Sequence, residues 1–144
     1  MKKIFLVKHP LIENSLTILR NQKTFTEKFC HHASIVSKVI FLEATKGLLL
    51  RNIKIKTPLS SFEGKQIAQE IVAVPVLRAG LAMLFALKDF LPGIRVGFVG
   101  LERDEKTAIA REYYQKIPHL NSGQIILAID PMLATGGSMN ATIS

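Results

Sequence analysis

The chain has little cysteine and no hydrophobic run long enough to cross a membrane. Cys30 is the single cysteine among 144 residues, so no internal disulfide can form, which fits a reducing compartment. The first apolar stretch, Ile4 to Val7, is too short for the core of a signal peptide. No other stretch approaches the roughly 18 apolar residues that a transmembrane helix needs. These absences predict a soluble, cytoplasmic protein without a membrane partner.

Acidic residues are outnumbered by basic ones, which raises the question of an anionic partner. The chain has 19 lysines and arginines against 11 acids, giving a formal net charge of +8. The basic residues are scattered, without an arginine-rich block or an accompanying ladder of aromatic residues. Those absences disfavour a general nucleic-acid-binding protein. A solvated basic surface accounts for the charge more simply, and a phosphorylated small molecule remains a candidate ligand.

Two sequence patterns that bind nucleotide phosphates are also missing. The chain contains neither GxxxxGK(S/T), the loop of nucleoside triphosphatases, nor GxGxxG after a strand, the fingerprint of dinucleotide-binding proteins. Internal repeats and low-complexity segments are absent as well. A length of 144 residues with 48% hydrophobic content is enough for one core. We therefore expect a single domain over residues 1–144.

Much of the first third of the chain has the periodicity of helices. Thr24 and Glu27 have the spacing of a capping box, which predicts a helix that starts at Thr24. Apolar residues then recur at helical spacing, which predicts that this face lies in the core and that Gly47 ends the helix. The residues of this face are Phe25, Phe29, Ala33, Val36 and Ile40.

The next two segments predict a strand and a turn. In NIKIKTP, Ile53 and Ile55 alternate with polar residues, which is typical of a short half-buried strand that ends at Pro58. The following segment SSFEGKQ, Ser60 to Gln66, has the composition of a turn.

From Glu70 onward the apolar residues form runs of strand length: IVAVPVL, RVGFVGL and IILAID. Such runs are typical of parallel strands that are buried on both faces. The segment between the first two predicts a crossover helix that ends at Pro92 and Gly93. The apolar residues that suit this helix are Leu81, Leu84, Phe85 and Phe90. Together these patterns predict an α/β fold with a mostly parallel sheet and N-terminal helices packed against it.

Charged residues follow each of the three apolar runs. Arg78 follows the first run, Arg103 follows the second, and Asp130 ends the third. Ligands of open parallel sheets bind outside the carboxyl ends of the strands. We therefore expect the three loops to open on the same side of one sheet. Two arginines and an acid in one crevice suit a substrate that carries several phosphates together with a divalent metal.

The segment ATGGS, residues 134–138, joins the last run to the predicted start of a helix. Free N–H groups at a helix start favour an anion, and glycines let the backbone approach it closely. Thr135 and Ser138 add hydroxyl donors, so the loop suits a terminal phosphate. Asp130 would accept hydrogen bonds from ribose hydroxyls or hold a metal through water. Taken alone, a pair of glycines after a strand is equally compatible with an ordinary tight turn.

Six segments together resemble the uracil phosphoribosyltransferase family. DPMLATGGS, residues 130–138, is similar to the motif with which that family binds phosphoribosyl pyrophosphate (PRPP). The other segments follow the family's order: HPL (His9 to Leu11), EAT (Glu43 to Thr45), PVLRAG (Pro75 to Gly80), RDEKT (Arg103 to Thr107) and YYQKIP (Tyr113 to Pro118). The resemblance covers essentially the whole chain.

This resemblance implies the type I phosphoribosyltransferase fold and a glycosyl-transfer reaction. The implied enzyme transfers ribose 5-phosphate from PRPP to uracil, giving UMP and pyrophosphate, with Mg²⁺, in pyrimidine salvage. It also implies a cytoplasmic homo-oligomer with GTP as an allosteric activator.

The resemblance assigns the site residues as well. Arg78, Arg103 and Asp130 are the implied catalytic residues, with the two arginines near the pyrophosphate of PRPP. Asp130 is the one candidate metal ligand, through water. The implied PRPP-binding residues are Arg78, Arg103, Asp130, Pro131, Met132, Leu133, Ala134, Thr135, Gly136, Gly137 and Ser138.

The chain departs from the family pattern in two respects. Pro131 is not one of them, because the family itself carries a proline where many other phosphoribosyltransferases carry a second acid. The segment TAIAREYYQKIP, which belongs to a mobile arm in relatives, lacks the usual proline before the tyrosines. The 144 residues contain no YIPGLGD-type segment, the family's uracil-binding element, so no uracil-binding residue is assigned. We therefore expect a C-terminally incomplete domain that does not form UMP by itself.

Two other functions stay open at this point. One is a non-catalytic regulator that binds PRPP or a nucleotide and contacts RNA, which the charge of +8 motivates. The other is a degenerate fragment without activity. A reading frame that continues into a YIPGLGD-like segment would favour the enzyme over both.

A few reactive residues have simpler interpretations. Cys30 is expected to be a small core residue. His31 and His32 are adjacent on a predicted helix and point in different directions, which disfavours a metal pair. His9, in the HPL segment, is expected to be structural or to lie at a subunit interface.

Overall fold

The computed structural model describes residues 4–103 and 110–143, and the side chains of Arg103 and Ala110 are not described. The first layer consists of two helices, α1 (Pro10–Arg20) and α2 (Thr26–Ala44). His9 caps α1 with its side chain, which accepts a hydrogen bond from the Leu11 N–H at 3.2 Å, and Pro10 occupies the first turn. Between the helices, His32 Nδ1 lies 3.1 Å from the buried hydroxyl of Ser15. The structural role predicted for His9 is confirmed.

The start of α2 differs from the predicted capping box. Phe25 is the N-cap residue and makes no side-chain cap, because the Thr24 hydroxyl donates instead to the Ile18 carbonyl at 2.7 Å. The helix also ends at Ala44, with a turn through Gly47.

The predicted core face of α2 is only partly buried. Phe25 is 85% exposed and Phe29 46% exposed, and Cys30 is exposed rather than in the core. The buried positions are Ser37 and Phe41, because α2 meets the rest of the molecule through its second half.

A β-hairpin follows, formed by β1 (Leu50–Lys56) and β2 (Ser61–Ile67). The expectation that residues 60–66 form a turn is wrong. The turn lies instead at residues 57–60, between the two strands, where the Thr57 N–H donates to the Ser60 carbonyl at 2.9 Å. Antiparallel pairing along the full length of both strands gives β2 its main-chain partners, which outweighs a composition poor in strand-forming residues.

The main sheet contains β3 (Ile71–Leu77), β4 (Arg95–Val96), β5 (Phe98–Arg103), β6 (Ala110–Lys116) and β7 (Ile125–Ile129). β4, β5 and β7 pair with β3 in parallel, and β6 pairs with β5 in antiparallel orientation. The β4 and β5 pairings have the same offset to β3, so they are two halves of one strand interrupted at Gly97. The sheet is therefore mixed and mostly parallel, and the antiparallel β6 was not predicted.

The crossover helix α3 (Gly80–Lys88) connects β3 to β4 as predicted, although it ends at Lys88 rather than at Pro92. The strand β3 is buried on both faces. On one face Ala73 packs with Phe41, Leu84, Leu87 and Ile129, and on the other face Val72 and Val74 pack with Val99. Phe85, one of the apolar residues assigned to the helix, is 66% exposed.

The chain closes with α4 (Gly137–Ile143), which contacts β3, β6 and β7. Part of the sheet beside it stays uncovered in the described structure. A groove of about 440 Å³ there is lined by apolar residues that include Val74, Ile117 and Ile126. Among the described residues, no helix combines the length and the apolar character needed to cross a membrane.

At the amino-terminal edge of the sheet, the Glu70 carboxylate joins neighbouring strands through hydrogen bonds. Glu70, just before β3, accepts a hydrogen bond from Arg95 of β4 at 2.9 Å and another from Gln124, just before β7. The Arg95 guanidinium, followed by the Gln124 amide, holds the pKa of Glu70 below its usual value of 4.5. This clasp, Glu70 with Arg95 and Gln124, connects the starts of three strands at the edge opposite the loops that carry the predicted site residues.

Candidate functional site

The three predicted strand ends meet at one edge of the sheet. Because β3, β5 and β7 run parallel, their carboxyl ends lie together. Arg78 directly follows β3, Arg103 is the last residue of β5, and Asp130 directly follows β7. The three strand ends therefore lie at one edge of the sheet, as predicted. The loop after Arg103, with the rest of the RDEKT segment, lies outside the described residues, so the side on which that loop opens stays a prediction.

A crevice of about 710 Å³ opens between the ends of β3 and β5. We use the term carboxyl-edge crevice for the cavity lined by Leu77, Arg78, Ala79, Leu101, Glu102 and Tyr113. The peptide bond between Leu77 and Arg78 is cis. Arg78 is exposed, and no hydrogen bond or ion pair joins its guanidinium to another described residue. This cation is thus available to an anionic ligand in the crevice.

A close contact fixes the loop after β3 against the end of β7. A Cβ atom on Gly80 would lie 2.7 Å from the carbonyl oxygen of Ile129 and 3.0 Å from Cβ of Pro75. Glycine is needed here because any side chain would push the start of α3 away from β7. Since Ile129 directly precedes Asp130, Gly80 sets the distance between the Arg78 loop and Asp130. The LRAG segment therefore has a packing role in addition to carrying its arginine.

The loop after β7 combines one half-buried carboxylate with exposed backbone. The Met132 N–H donates to Asp130 Oδ1 at 3.3 Å, which orients the carboxylate. Pro131 to Thr135 are exposed, and within the described chain the N–H groups of residues 133–136 have no hydrogen-bond acceptor. Gly136 has a φ of 79°, a left-handed conformation that favours glycine. These free N–H groups form the part of the loop best suited to phosphate oxygens.

The end of the loop is held by two short-range hydrogen bonds. The Gly137 N–H donates to the Thr135 hydroxyl at 3.4 Å, and the Asn140 N–H donates to the Gly136 carbonyl at 2.8 Å. The Thr142 hydroxyl donates to the Ser138 carbonyl at 2.9 Å. This hydrogen bond uses the backbone of Ser138 and not its hydroxyl group. The predicted loop-to-helix junction is thus present, followed by a single short helix.

The described residues contain no cluster of three or more side chains that could hold a metal ion by themselves. Asp130 nevertheless fits Mg²⁺ bound together with a substrate. Only one of its oxygens receives the Met132 hydrogen bond, and Mg²⁺ is commonly held by one or two carboxylates plus substrate phosphates and water. His31 and His32 lie on α2, in a different part of the chain from this edge, and the two rings contact each other edge to face.

Two residues that line the crevice, Glu102 and Tyr113, were not among the predicted site residues. Glu102 lies next to Arg103 in the second apolar run, and its position at the strand end was available from the sequence. Tyr113 belongs to the YYQKIP segment, but its place depends on an irregularity in the pairing of β5 with β6. No spacing in the sequence indicates that irregularity.

Fold and crevice together define an α/β protein whose charged and glycine-rich loops meet at the carboxyl edge of its sheet. The family model described as uracil phosphoribosyltransferase matches residues 6–144. The chain belongs to the uracil phosphoribosyltransferase family, as the six segments predicted.

Individual relatives agree with this assignment. The chain is 42% identical over 141 residues to the uracil phosphoribosyltransferase of Mycoplasma mobile, covering 97% of this chain and 68% of the relative. It is 42% identical over 144 residues to that of Roseiflexus castenholzii, covering 100% and 69%. The solved structure of the AQ2163 protein from Aquifex aeolicus is 34% identical, with a TM-score of 0.90 over 98% of this chain and 68% of that one. The chain thus spans about two thirds of the length of these proteins.

Proposed function

We propose that the carboxyl-edge crevice and the loop after β7 bind PRPP, for transfer of its ribose 5-phosphate to uracil. The products of that reaction are UMP and pyrophosphate. The observation that carries the proposal is the meeting of Arg78, Arg103 and Asp130 at one sheet edge in a chain of this family. The proposal treats residues 1–144 as one domain of the type I phosphoribosyltransferase kind, acting in the cytoplasm in pyrimidine salvage.

In this proposal Arg78 and Arg103 bind the pyrophosphate of PRPP. An arginine side chain pairs bidentately with phosphate oxygens and keeps its charge at every physiological pH. The Arg78 guanidinium has no described protein partner that a ligand would have to displace. Its positive charge also offsets the negative charge that gathers on the departing pyrophosphate in the transition state.

The loop from Asp130 to Ser138 binds the ribose 5-phosphate part. The free N–H groups of residues 133–136 donate to the 5-phosphate, with Thr135 and Ser138 as hydroxyl donors. Asp130 accepts hydrogen bonds from the ribose hydroxyls. Pro131, Met132 and Leu133 shape the loop between the carboxylate and these donors. Because the loop is bordered by the Gly80 contact, both halves of PRPP are held at a fixed separation.

Mg²⁺, when bound with PRPP, would be held by Asp130 through water and would neutralise part of the pyrophosphate charge. The chain itself supplies no nucleophile in this proposal. The transition state resembles an oxocarbenium ion, so the protein contributes by orienting PRPP and the base and by stabilising charge on the leaving group. Arg78, Arg103 and Asp130 are the residues to which we assign those tasks.

Uracil recognition is a separate requirement. The 144 residues include no segment like YIPGLGD, and the relatives extend beyond the matched region by about a third of their length. We infer that the 144-residue chain binds PRPP without forming UMP, because an unoriented base lacks much of the rate enhancement of a two-substrate transfer. Adding a uracil-binding segment to the same polypeptide should allow it to form UMP.

A homo-oligomer is also part of the proposal. The β1–β2 hairpin makes its extensive contacts only within itself among the described elements, yet it carries large exposed apolar side chains. Leu59 at its tip is 97% exposed and Phe62 is 58% exposed. Such a projecting, partly apolar arm suits a second copy of the chain. The GTP activation implied by the resemblance stays a prediction without an assigned residue.

The PRPP-binding proposal is tested by isothermal titration of the 144-residue chain with PRPP and Mg²⁺. We expect Arg78→Ala to weaken binding by roughly 10- to 100-fold, the loss of a charge-assisted pair, and Asp130→Asn by about tenfold. Arg20→Ala, which removes the same charge from an exposed position in the last turn of α1, is the matched control and should bind like the unaltered chain. Unchanged affinity in both site variants would rule out their assigned roles.

The enzymatic part is tested with a chimera that appends the C-terminal third of the Mycoplasma mobile relative to this chain. We expect the chimera to form UMP from labelled uracil and PRPP, and the 144-residue chain to form none above background. Arg78→Ala in the chimera is the control for dependence on the crevice. A chimera that binds PRPP but forms no UMP would favour the non-catalytic regulator instead.

A further inference from the structure

Tyr113 occupies an irregular position in the strand that borders the carboxyl-edge crevice. In the pairing of β5 with β6, Gly100 is opposite Tyr114 and Leu101 is opposite Glu112, so Tyr113 is the extra residue between two regular pairs. Such β-bulges interrupt the regular alternation of side chains and often re-aim one of them beside a functional site. The bulge therefore gives Tyr113 a direction that regular pairing would not.

The ring of Tyr113 lies over Gly100 of the neighbouring strand. A Cβ atom on Gly100 would lie 2.6 Å from Cζ of Tyr113 and 3.0 Å from its hydroxyl oxygen. Any side chain at position 100 would therefore displace the ring. Gly100 is itself buried, so the ring rests on the backbone of β5. Glycine at this position thus permits the placement of the phenol beside the crevice.

The phenol also lines the crevice in which Arg78 lies. Tyr113 is 53% exposed, and within the described structure its hydroxyl has no hydrogen-bond partner. Glu102 lines the same crevice and adds negative charge there. An anion bound beside Arg78 therefore needs further donors, and the Tyr113 hydroxyl is the uncharged donor that the crevice offers among the side chains known to line it.

We propose that the Tyr113 hydroxyl donates a hydrogen bond to the pyrophosphate group of PRPP, with Gly100 and the bulge setting its position. The inference rests on the proposed function, because it assigns a further residue to the same crevice. It differs from a purely structural role, in which the ring packs on Gly100 and the hydroxyl faces water. The two roles differ in what removal of the hydroxyl does to ligand binding.

The test uses inorganic pyrophosphate with Mg²⁺ as the probe, in calorimetric titrations of the 144-residue chain. Tyr113→Phe keeps the ring and removes the hydroxyl, so we expect pyrophosphate to bind about tenfold more weakly. Binding of ribose 5-phosphate should be unchanged, since that ligand occupies the other loop. Tyr114→Phe is the matched control because Tyr114 belongs to the same strand and does not line the crevice.

A spectroscopic readout comes from the composition of the chain. It contains two tyrosines and no tryptophan, so in the Tyr114→Phe variant all tyrosine emission comes from Tyr113. Pyrophosphate should change that emission with the same half-saturation that calorimetry gives. A second variant, Gly100→Ala, should displace the ring and weaken pyrophosphate binding although the hydroxyl is still present.

The outcomes separate this inference from the proposed function. If the unaltered chain binds pyrophosphate and Tyr113→Phe binds it equally well, the role of the hydroxyl is overturned and the PRPP site stands. If the unaltered chain binds neither PRPP nor pyrophosphate, both are overturned. Weaker binding in Tyr113→Phe with an unchanged Tyr114→Phe control supports the assignment.

Discussion

At the scale of single residues, glycine is required at different places for different reasons. Gly80 and Gly100 leave room for a neighbouring carbonyl and a tyrosine ring, whereas Gly136 provides a backbone conformation with a φ of 79°. From the sequence, close approach to an anion was expected of Gly136 and Gly137 alike. Of these two, only Gly136 has a left-handed backbone, and a Cβ on Gly137 would meet nothing nearer than the Thr135 hydroxyl at 3.6 Å.

Substitutions of the two adjacent glycines should therefore differ in their effect on stability. We expect Gly136→Ala to lower the free energy of unfolding by about 1–2 kcal/mol, because an L-residue is strained in the left-handed conformation. Gly137→Ala should be neutral or slightly stabilising, since alanine is the better helix former at the start of α4. Urea denaturation followed by circular dichroism measures both values. Equal losses in the two variants would contradict the different roles of the two glycines.

At the scale of elements, the sequence predicted those helices and strands whose pattern lies within their own segment. It did not predict those that depend on pairing with another segment. The apolar runs of β3 and β7 predicted parallel strands buried on both faces, and both strands are parallel. β3 is buried throughout Ile71 to Val76, whereas β7 is only partly buried, with Ile126 51% exposed, so the prediction of full burial is wrong for β7. The hairpin strand β2 and the strand β6 were missed because antiparallel pairing, not their own composition, makes them strands. The capping box failed because Thr24 bonds to α1, a tertiary contact that no spacing reveals.

The candidate ligand site shows the same difference between features of one segment and contacts between elements. The strand-end positions of Arg78, Arg103 and Asp130 followed from the order of apolar runs and loops. The Gly80 contact and the bulge at Tyr113 did not, because each depends on how two elements meet.

The clasp at the amino-terminal edge of the sheet predicts a pH-dependent stability. The pKa of Glu70 is lowered in the folded chain, so its stabilising contribution is present above pH 4.5 and is lost as the pH falls through the lower folded value. We expect Glu70→Gln to lower the melting temperature at pH 7, and the difference from the unaltered chain to shrink below pH 4.5. Glu63→Gln, which removes the same charge from β2, is the control for net charge. A pH-independent effect of Glu70→Gln would contradict the ionised clasp.

At the scale of the whole molecule, exposed large apolar side chains lie on the N-terminal segment, the hairpin, the first turns of α2, the loop after β7 and the uncovered part of the sheet. The uncovered groove near Ile126 lies beside α4, the last described element. The relatives are longer than this chain by about a third of their own length. The net charge of +8 needs no nucleic-acid partner in this account, because an anionic substrate and a solvated basic surface both fit it.

The hairpin arm predicts how the chain assembles. Replacing both Leu59 and Phe62 with aspartate should convert an oligomer into a monomer, because it places charges on the apolar part of the arm. Ser60→Asp with Ser61→Asp adds the same charge at adjacent exposed positions without removing apolar surface, and should leave the oligomer largely intact. Sedimentation velocity distinguishes the species. A monomeric unaltered chain, or equal effects in the two double variants, would contradict a role for the arm.

Chemical-shift mapping with PRPP and Mg²⁺ on the ¹⁵N-labelled chain tests whether the ligand site lies at the carboxyl edge of the sheet. We expect the amide signals that shift to belong to residues 78–80, to Asp130 and to residues 132–138, and those of Glu70, Arg95 and Gln124 at the opposite edge to stay unchanged. Shifts confined to that opposite edge or to the hairpin, or no shifts at saturating PRPP, would contradict a site at the carboxyl edge.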